Sequence, residues 1–259
     1  MTSDSFKPLE MKRDPFAGDR FVFPEAFCTS ERRTWFSRNN EILAFFYIAM
    51  QGLKECEDKC RGLLSQGILK PDMPQKFEFS DGQNVQCLIM PTQTVIKQCK
   101  EGAHVLGRQV FTMVYGSFET LLFHLLERSF PKIGITANIL DSSLEILMRK
   151  KWDGKFCKMR DVFALNYRAA DLIGHFQGFE MNFEGKVYKN PLEFLDQMAQ
   201  VRHRIVHASS ILDGGNLIFF DPLVFNSYFA FFVILTDYVD DLFAKRFGYP
   251  RLKIDPAKA

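Results

Sequence analysis

From Tyr228 to Leu235 every side chain is apolar, and the run lies inside a helix that Asp221 and Pro222 open and Gly248 and Pro250 close. An Asp at the N-cap supplies an acceptor for the free amides of the first turn. Pro in that turn has no N–H to lose, and Gly takes the left-handed conformation that ends a helix. A helix that is apolar all round has no face to give to water. It is either the centre of a bundle or the seam between two subunits. The run is far short of the roughly 20 residues needed to span a bilayer, so no membrane association is expected. The 28 Phe, against 7 Tyr and 2 Trp, point the same way, to bulky aromatic packing in a core and at an oligomer interface.

The remaining periodicities give further helices. Thr34 to about Leu69 is helical, with a buried run from Ile42 to Met50 and a stop at Gly67 and Pro71. Phe77 and Phe79, then Val85, Cys87 and Ile89, alternate around Ser80-Asp81-Gly82-Gln83-Asn84, the pattern of a β-hairpin. Thr92 to Arg128 is helical again, breaking near Gly102 or Gly107, with Val110, Met113, Val114, Phe118, Leu121, Leu122 and Leu125 at helical spacing. Helices follow over Ile135 to Lys151, Cys157 to Gln177 and Pro191 to Ser209, with a loop from Gly178 to Asn190 and a turn at Asp213 to Asn216. The expected fold is therefore all-α. Residues 1–95 form an N-terminal extension that begins as an extended arm and carries the hairpin; 96–250 form the bundle, and 251–259 a polar tail.

The net charge of +2 gives no argument for nucleic acid from the molecule as a whole, so any such case rests on local patches. The charged N-terminus, with Lys7, Glu10, Lys12 and Arg13, carries no apolar signal segment. Together with six scattered cysteines, this places the chain by expectation in a reducing, cytoplasmic compartment. Cys56 and Cys60 share a helix face, but the sequence puts no third or fourth ligand beside them, as structural zinc requires. No glycine-rich phosphate loop or nucleophile elbow is present. No cofactor is expected. His104, His124 and His175 stand alone and read as structural.

The chemistry concentrates on the helix that starts at Pro191. On a wheel of about 100° per residue, Leu192, Leu195, Met198, Ala199, Ile205 and Val206 fall within roughly 80° of Arg202. A guanidinium thus occupies the middle of a stripe that should be buried, where it needs a carboxylate, carbonyls or a bound anion. Glu119 and Glu145 are the candidate ion-pair partners. Asp196, His203 and His207 lie at roughly 100–140° from Arg202 and make a polar strip at the border of the stripe. Two histidines four apart with a carboxylate also suit a metal site, which leaves a helical metal-binding protein as one reading.

The run Arg202-His203-Arg204-Ile205-Val206-His207 resembles the R-x4-6-H motif of the HEPN superfamily, helical bundles that include many metal-independent RNA endonucleases. His203 fills the family's polar position after the arginine, where Asn is commoner. Leu192-Glu193-Phe194-Leu195-Asp196 and the earlier helix with Ser117-Phe118-Glu119 resemble the surroundings of the motif. The resemblance covers residues from about 100 to 247. It implies that His207 is the acid/base, that Arg202 clamps phosphate and that His203 orients the pair, with Asp196 and Glu119 in support. It also implies a homodimer with a shared cleft, RNA cleavage to a 2′,3′-cyclic phosphate and a 5′-OH, no metal, and a toxin or phage-defence role with an antitoxin or regulatory partner.

The chemistry suits those residue types. Imidazole titrates near neutral pH, and guanidinium grips two phosphate oxygens while staying charged. One difficulty is geometric: five residues on a regular helix point about 140° apart, so Arg202 and His207 converge only through distortion or across a dimer. Arg149, Lys150, Lys151, Lys155, Lys158 and Arg160, interleaved with Trp152 and Phe156, suit phosphate contact and base stacking, and Arg204 adds to them. The same pattern also fits a solvated segment between helices. A non-catalytic RNA- or protein-binding bundle is the remaining alternative.

Overall fold

The computed structural model describes residues 27–80, 85–134, 139–149, 151–176, 178–183, 185–207 and 222–253. The N-terminal arm, the 213–216 turn and Asp221 lie outside them. The chain is mostly helical. Its helices are α1 (Ser30–Ser65), α2 (Thr92–Ser129), α3 (Ile139–Leu147), α4 (Trp152–Phe163), α5 (Ala169–His175), α6 (Pro191–Val206) and α7 (Pro222–Phe247). Three antiparallel strand pairs accompany them: β1 (Phe27–Cys28) with β6 (Leu252–Lys253), β2 (Pro74–Ser80) with β3 (Val85–Pro91), and β4 (Met181–Phe183) with β5 (Lys186–Tyr188).

The frame is the pair α1 and α2, of 36 and 38 residues, each more than 50 Å long at about 1.5 Å per residue. They run antiparallel. Arg128 near the end of α2 grips Glu31 at the start of α1 at 2.6 Å, and Ser117 Oγ donates to Asn39 Oδ1 at 3.0 Å. The expected β2–β3 hairpin joins their far ends, with Phe77 opposite Leu88 and Glu78 opposite Cys87. Thr29 caps α1 through its side chain, which accepts from Arg32 N–H. The helix therefore starts four residues earlier than the apolar pattern predicts. α2 is unbroken at both glycines. Gly107 is buried, and a Cβ on Gly102 would stand 3.6 Å from Leu53 of α1. The helix continues through both because its packing against α1 and the rest of the bundle outweighs the weak helical preference of glycine.

α7 is the central helix. Phe225 packs against Phe46 of α1, Phe232 against Tyr115 and Phe118 of α2, and Phe231 against Phe176, Phe179 and Phe194, all in tilted or edge-on ring contacts. Of the two possibilities for an all-apolar helix, this chain uses the first: α7 is surrounded by its own bundle. The phenylalanine surplus is largely spent here. One continuous core runs from Cys28, Trp35 and Phe46 to Phe243 and Tyr249, so it crosses the expected boundary at residue 95. The tail also begins as structure: β6 pairs with β1, and Arg251 binds Asp241 at 2.8 Å.

Two further expectations change. The helix expected over 157–177 is two helices, because Ala164 takes a left-handed φ of 51° and ends α4. The expected loop at 178–190 holds the β4–β5 hairpin, turned at Gly185 with φ 77°. Its short alternation, Met181 and Phe183 inward with Asn182 outward, was present in the sequence but only three residues long. Among the described residues no helix is long and apolar enough to cross a membrane.

Candidate functional site

α6 is aimed by its first turn. Asn190 accepts from Leu192 N–H at 2.9 Å, and Pro191 sits at the first helical position. Leu192, Phe194, Leu195, Met198 and Val201 are buried against the core, which fixes the roll of the helix about its axis. That roll sends Arg202 inward. Its Nε is buried and has no hydrogen-bond partner among the described residues, and its charge acts on Tyr115 of α2 and Lys155 of α4. The same roll leaves His203 and His207 exposed. Their ring centroids are 4.3 Å apart. His207 forms the C-cap of α6, its N–H donating to His203 O and Ile205 O.

Beside the histidines a shallow, open pocket of about 440 Å³ is lined by Lys151, Asp196, Ala199, Gln200, His203 and Arg204. The α4 terminus forms one wall and the polar strip of α6 the other. Asp196 ties the walls together: its Oδ1 accepts from Trp152 N–H at 2.8 Å. This carboxylate caps α4, whose own N-cap residue, Lys151, offers no side-chain bond. Trp152 in turn donates from Nε1 to Tyr115 Oη at 3.0 Å.

Beneath the pocket lies a charged interior. Lys155 is buried, with its ammonium 4.0 Å from the Trp152 ring centre. Burial lowers its pKa and Arg202 adds to this, while Glu119 and Asp196 pull the other way. Burial also pushes the Tyr115 phenol well up, helped by Glu119. Glu119 and Asp196 are therefore the acids of a mixed cluster that holds two cations, Lys155 and Arg202. Glu145 belongs elsewhere, 3.9 Å from Arg149 and 3.7 Å from Lys158.

The basic segment from Arg149 to Arg160 differs from its expected role. Trp152 and Phe156 are fully buried core residues, so neither ring is open to a base. Lys155 is interior, Arg160 pairs with Asp161 at 2.9 Å, and Lys150 lies outside the described residues. Helix α4 buries Trp152, Phe156, Met159 and Phe163 because they recur at helical spacing, a signal that alternation with lysine obscured. Of the cations expected to touch RNA, Lys151 and Arg204 line the pocket.

The metal arrangement is not assembled. Asp196 and His203 are seven residues apart, about 10 Å along the helix axis, and Asp196 is engaged with α4. Among the described residues no group of three or more His, Cys, Asp or Glu is placed to hold a metal ion. Arg202 and His207 also remain apart as the wheel requires, one turned to the interior and one at the exposed cap. No family model matches the sequence, and no curated protein or solved structure matches the chain.

Proposed function

We propose that the chain is a metal-independent endoribonuclease of the HEPN type, with a cleft completed by a second copy. The observation that carries the reading is the exposed His203–His207 pair, 4.3 Å between ring centres, at the mouth of a pocket edged by Lys151 and Arg204. Adjacent imidazoles on a cationic rim are the parts that transesterification needs. One group takes the proton of the ribose 2′-OH, another returns a proton to the leaving 5′-oxygen, and nearby cations hold the phosphate. His207 is the acid/base in this reading, and His203 orients it or shares the proton work. The Arg202 guanidinium stabilises the phosphorane across the dimer cleft. A toxin or defence effector, restrained by an antitoxin or regulatory partner, is the setting that this chemistry fits.

The inward turn of Arg202 favours a second reading, a non-catalytic bundle of the same type that binds RNA or a protein through the pocket. The two are separated by incubating purified protein with structured and single-stranded RNA in EDTA. The enzyme reading expects fragments ending in 2′,3′-cyclic phosphate. Arg202→Ala and His207→Ala should each slow their release by about 100-fold or more while leaving the fold intact. Binding of RNA without cleavage by the wild type, at every pH and RNA tested, sinks the enzyme and leaves the binding module.

A further inference from the structure

Three thiols converge where α1 and α2 run together, about 30 Å along α2 from Glu119 and the pocket. Cys56 and Cys60 lie one turn apart on α1, and Cys99 faces them from α2. The register follows from Leu53 and Gly102, which face each other: a Cβ on the glycine would stand 3.6 Å from the leucine, in ordinary van der Waals contact. Three residues further along α1 and three residues back along α2 arrive at Cys56 and Cys99. Cys60, Val95 and Cys99 form a small core of their own, with Leu53, Cys56, Phe77, Met90 and Ile96 packed around it. Cys56 stands within hydrogen-bonding reach of both other thiols. It is the partly exposed member, while Cys60 and Cys99 are buried.

We propose that Cys56 and Cys99 are a redox couple that a peroxide converts into a disulfide clamping α1 to α2. This site is independent of the ribonuclease reading. The neighbouring alternative, Cys56 with Cys60, fits poorly. Helix positions four apart hold their Cβ atoms about 5–6 Å from each other. A disulfide needs about 3.5–4.5 Å. Cys56 and Cys99 stand on different helices, so no fixed helical spacing holds them apart, and both belong to one packed cluster. A metal reading lacks its ligand set, since no group of three His, Cys, Asp or Glu has metal-binding placement among the described residues.

The chemistry runs in two steps. The Cys56 thiolate attacks one peroxide oxygen and the O–O bond breaks. The other oxygen leaves with a proton as water, and Cys56 becomes a sulfenic acid. Cys99 sulfur then attacks Cys56 sulfur and the S–O bond breaks. The departing hydroxide takes the Cys99 proton as a second water. Two thiols have lost two electrons, and one hydrogen peroxide has become two waters. The order follows from access: burial pushes the Cys99 thiol up to about 12 and raises Cys60 as well, so both wait on Cys56.

The test is to treat the full chain with hydrogen peroxide, block free thiols, digest without reductant and map linked peptides by mass spectrometry. The expected product is a Cys56–Cys99 peptide lighter by two hydrogens and reversed by dithiothreitol. It should persist in Cys60→Ser and Cys87→Ser, and vanish in Cys56→Ser and in either Cys99→Ser or Cys99→Ala. Closing a loop of roughly 40 residues should raise the melting temperature by several degrees. Wild type that stops at sulfenic or sulfinic Cys56, or links Cys56 to Cys60 or to another copy, overturns the proposal without reference to any variant.

Discussion

Replacing Asp196 with alanine isolates the contact that joins the two walls of the pocket. The carboxylate accepts Trp152 N–H at 2.8 Å and is the only side-chain cap that α4 receives among the described residues. A hydrogen bond to a charged group contributes about 1.5–3 kcal/mol. The attraction between a carboxylate and the positive end of a helix adds about 0.3–1 kcal/mol. Asp196 is only half-buried and part of this is screened, so a loss of about 2 kcal/mol is the working value. That corresponds to a fall of roughly 4–8 °C in melting temperature for a chain of this size. Asp196→Asn keeps an oxygen acceptor and loses the charge, so it should recover about half. The buried ammonium of Lys155 supplies a second arm, because Asp196 favours its charged form. In Lys155→Met the same Asp196→Ala change should cost less, with a coupling of about 0.5–1 kcal/mol. Urea titrations of the five proteins, wild type and double variant included, give these values. Asp196→Ala within about 0.5 kcal/mol of wild type, the usual range for inert surface changes, refutes the cap. So does Asp196→Asn equal to Asp196→Ala.

Two more predictions concern the frame that holds this site. Ala164→Gly should stabilise the protein by about 1 kcal/mol, because Ala164 holds φ 51° at the end of α4, where a Cβ is strained and glycine is not; calorimetry reads the gain. Burial raises the pKa of Asp240 against opposing bonds from Thr29, whose N–H donates at 3.0 Å, so its contribution to stability is fully present below its unfolded pKa and is lost as pH rises through the folded value. Asp240→Asn should flatten that part of a urea-midpoint profile against pH, and an unchanged profile would place the dependence elsewhere.

Legibility in this sequence follows the length of each signal. α7 and the β2–β3 hairpin are readable because many residues repeat one instruction: apolar on all sides, or alternation on both flanks of a turn. β4 and β5 carry the same alternation over three residues each, too few to outweigh a segment bounded by Gly178 and Asn190. Gly102 and Gly107 mislead for a different reason. A glycine in a helix reads as a weak point, but α2 continues through both, and the helix it packs against lies some 50 residues earlier in the chain, with Leu53 facing Gly102. Ala164 is the reverse case: alanine promises continuity, and the chain bends because Leu165, Tyr167 and Leu172 are all drawn into the same core.

The candidate site divides along the same line. The wheel placed Arg202 in the middle of the buried stripe, and the buried Nε lies where it pointed. What the wheel could not supply was the company, since that depends on which helices pack against α6. Its neighbours are α2 and α4, which bring Tyr115 and Lys155 to the guanidinium and Trp152 to Asp196. Arg202 is turned toward the cluster in which Glu119 and Asp196 act on the buried lysine, and away from the exposed histidines. Among the described residues His203 and His207 belong to no such network, and their rings stand together at the exposed end of the helix. Catalysis through the R-x4-6-H motif therefore demands that a second α6 bring a guanidinium to these imidazoles. The chain's own Arg202 must otherwise leave Tyr115 and Lys155. If Arg202→Lys folds normally and cuts RNA as fast as wild type, the arginine belongs to the interior cluster alone, and the histidine pair with Lys151 and Arg204 is the whole of the site.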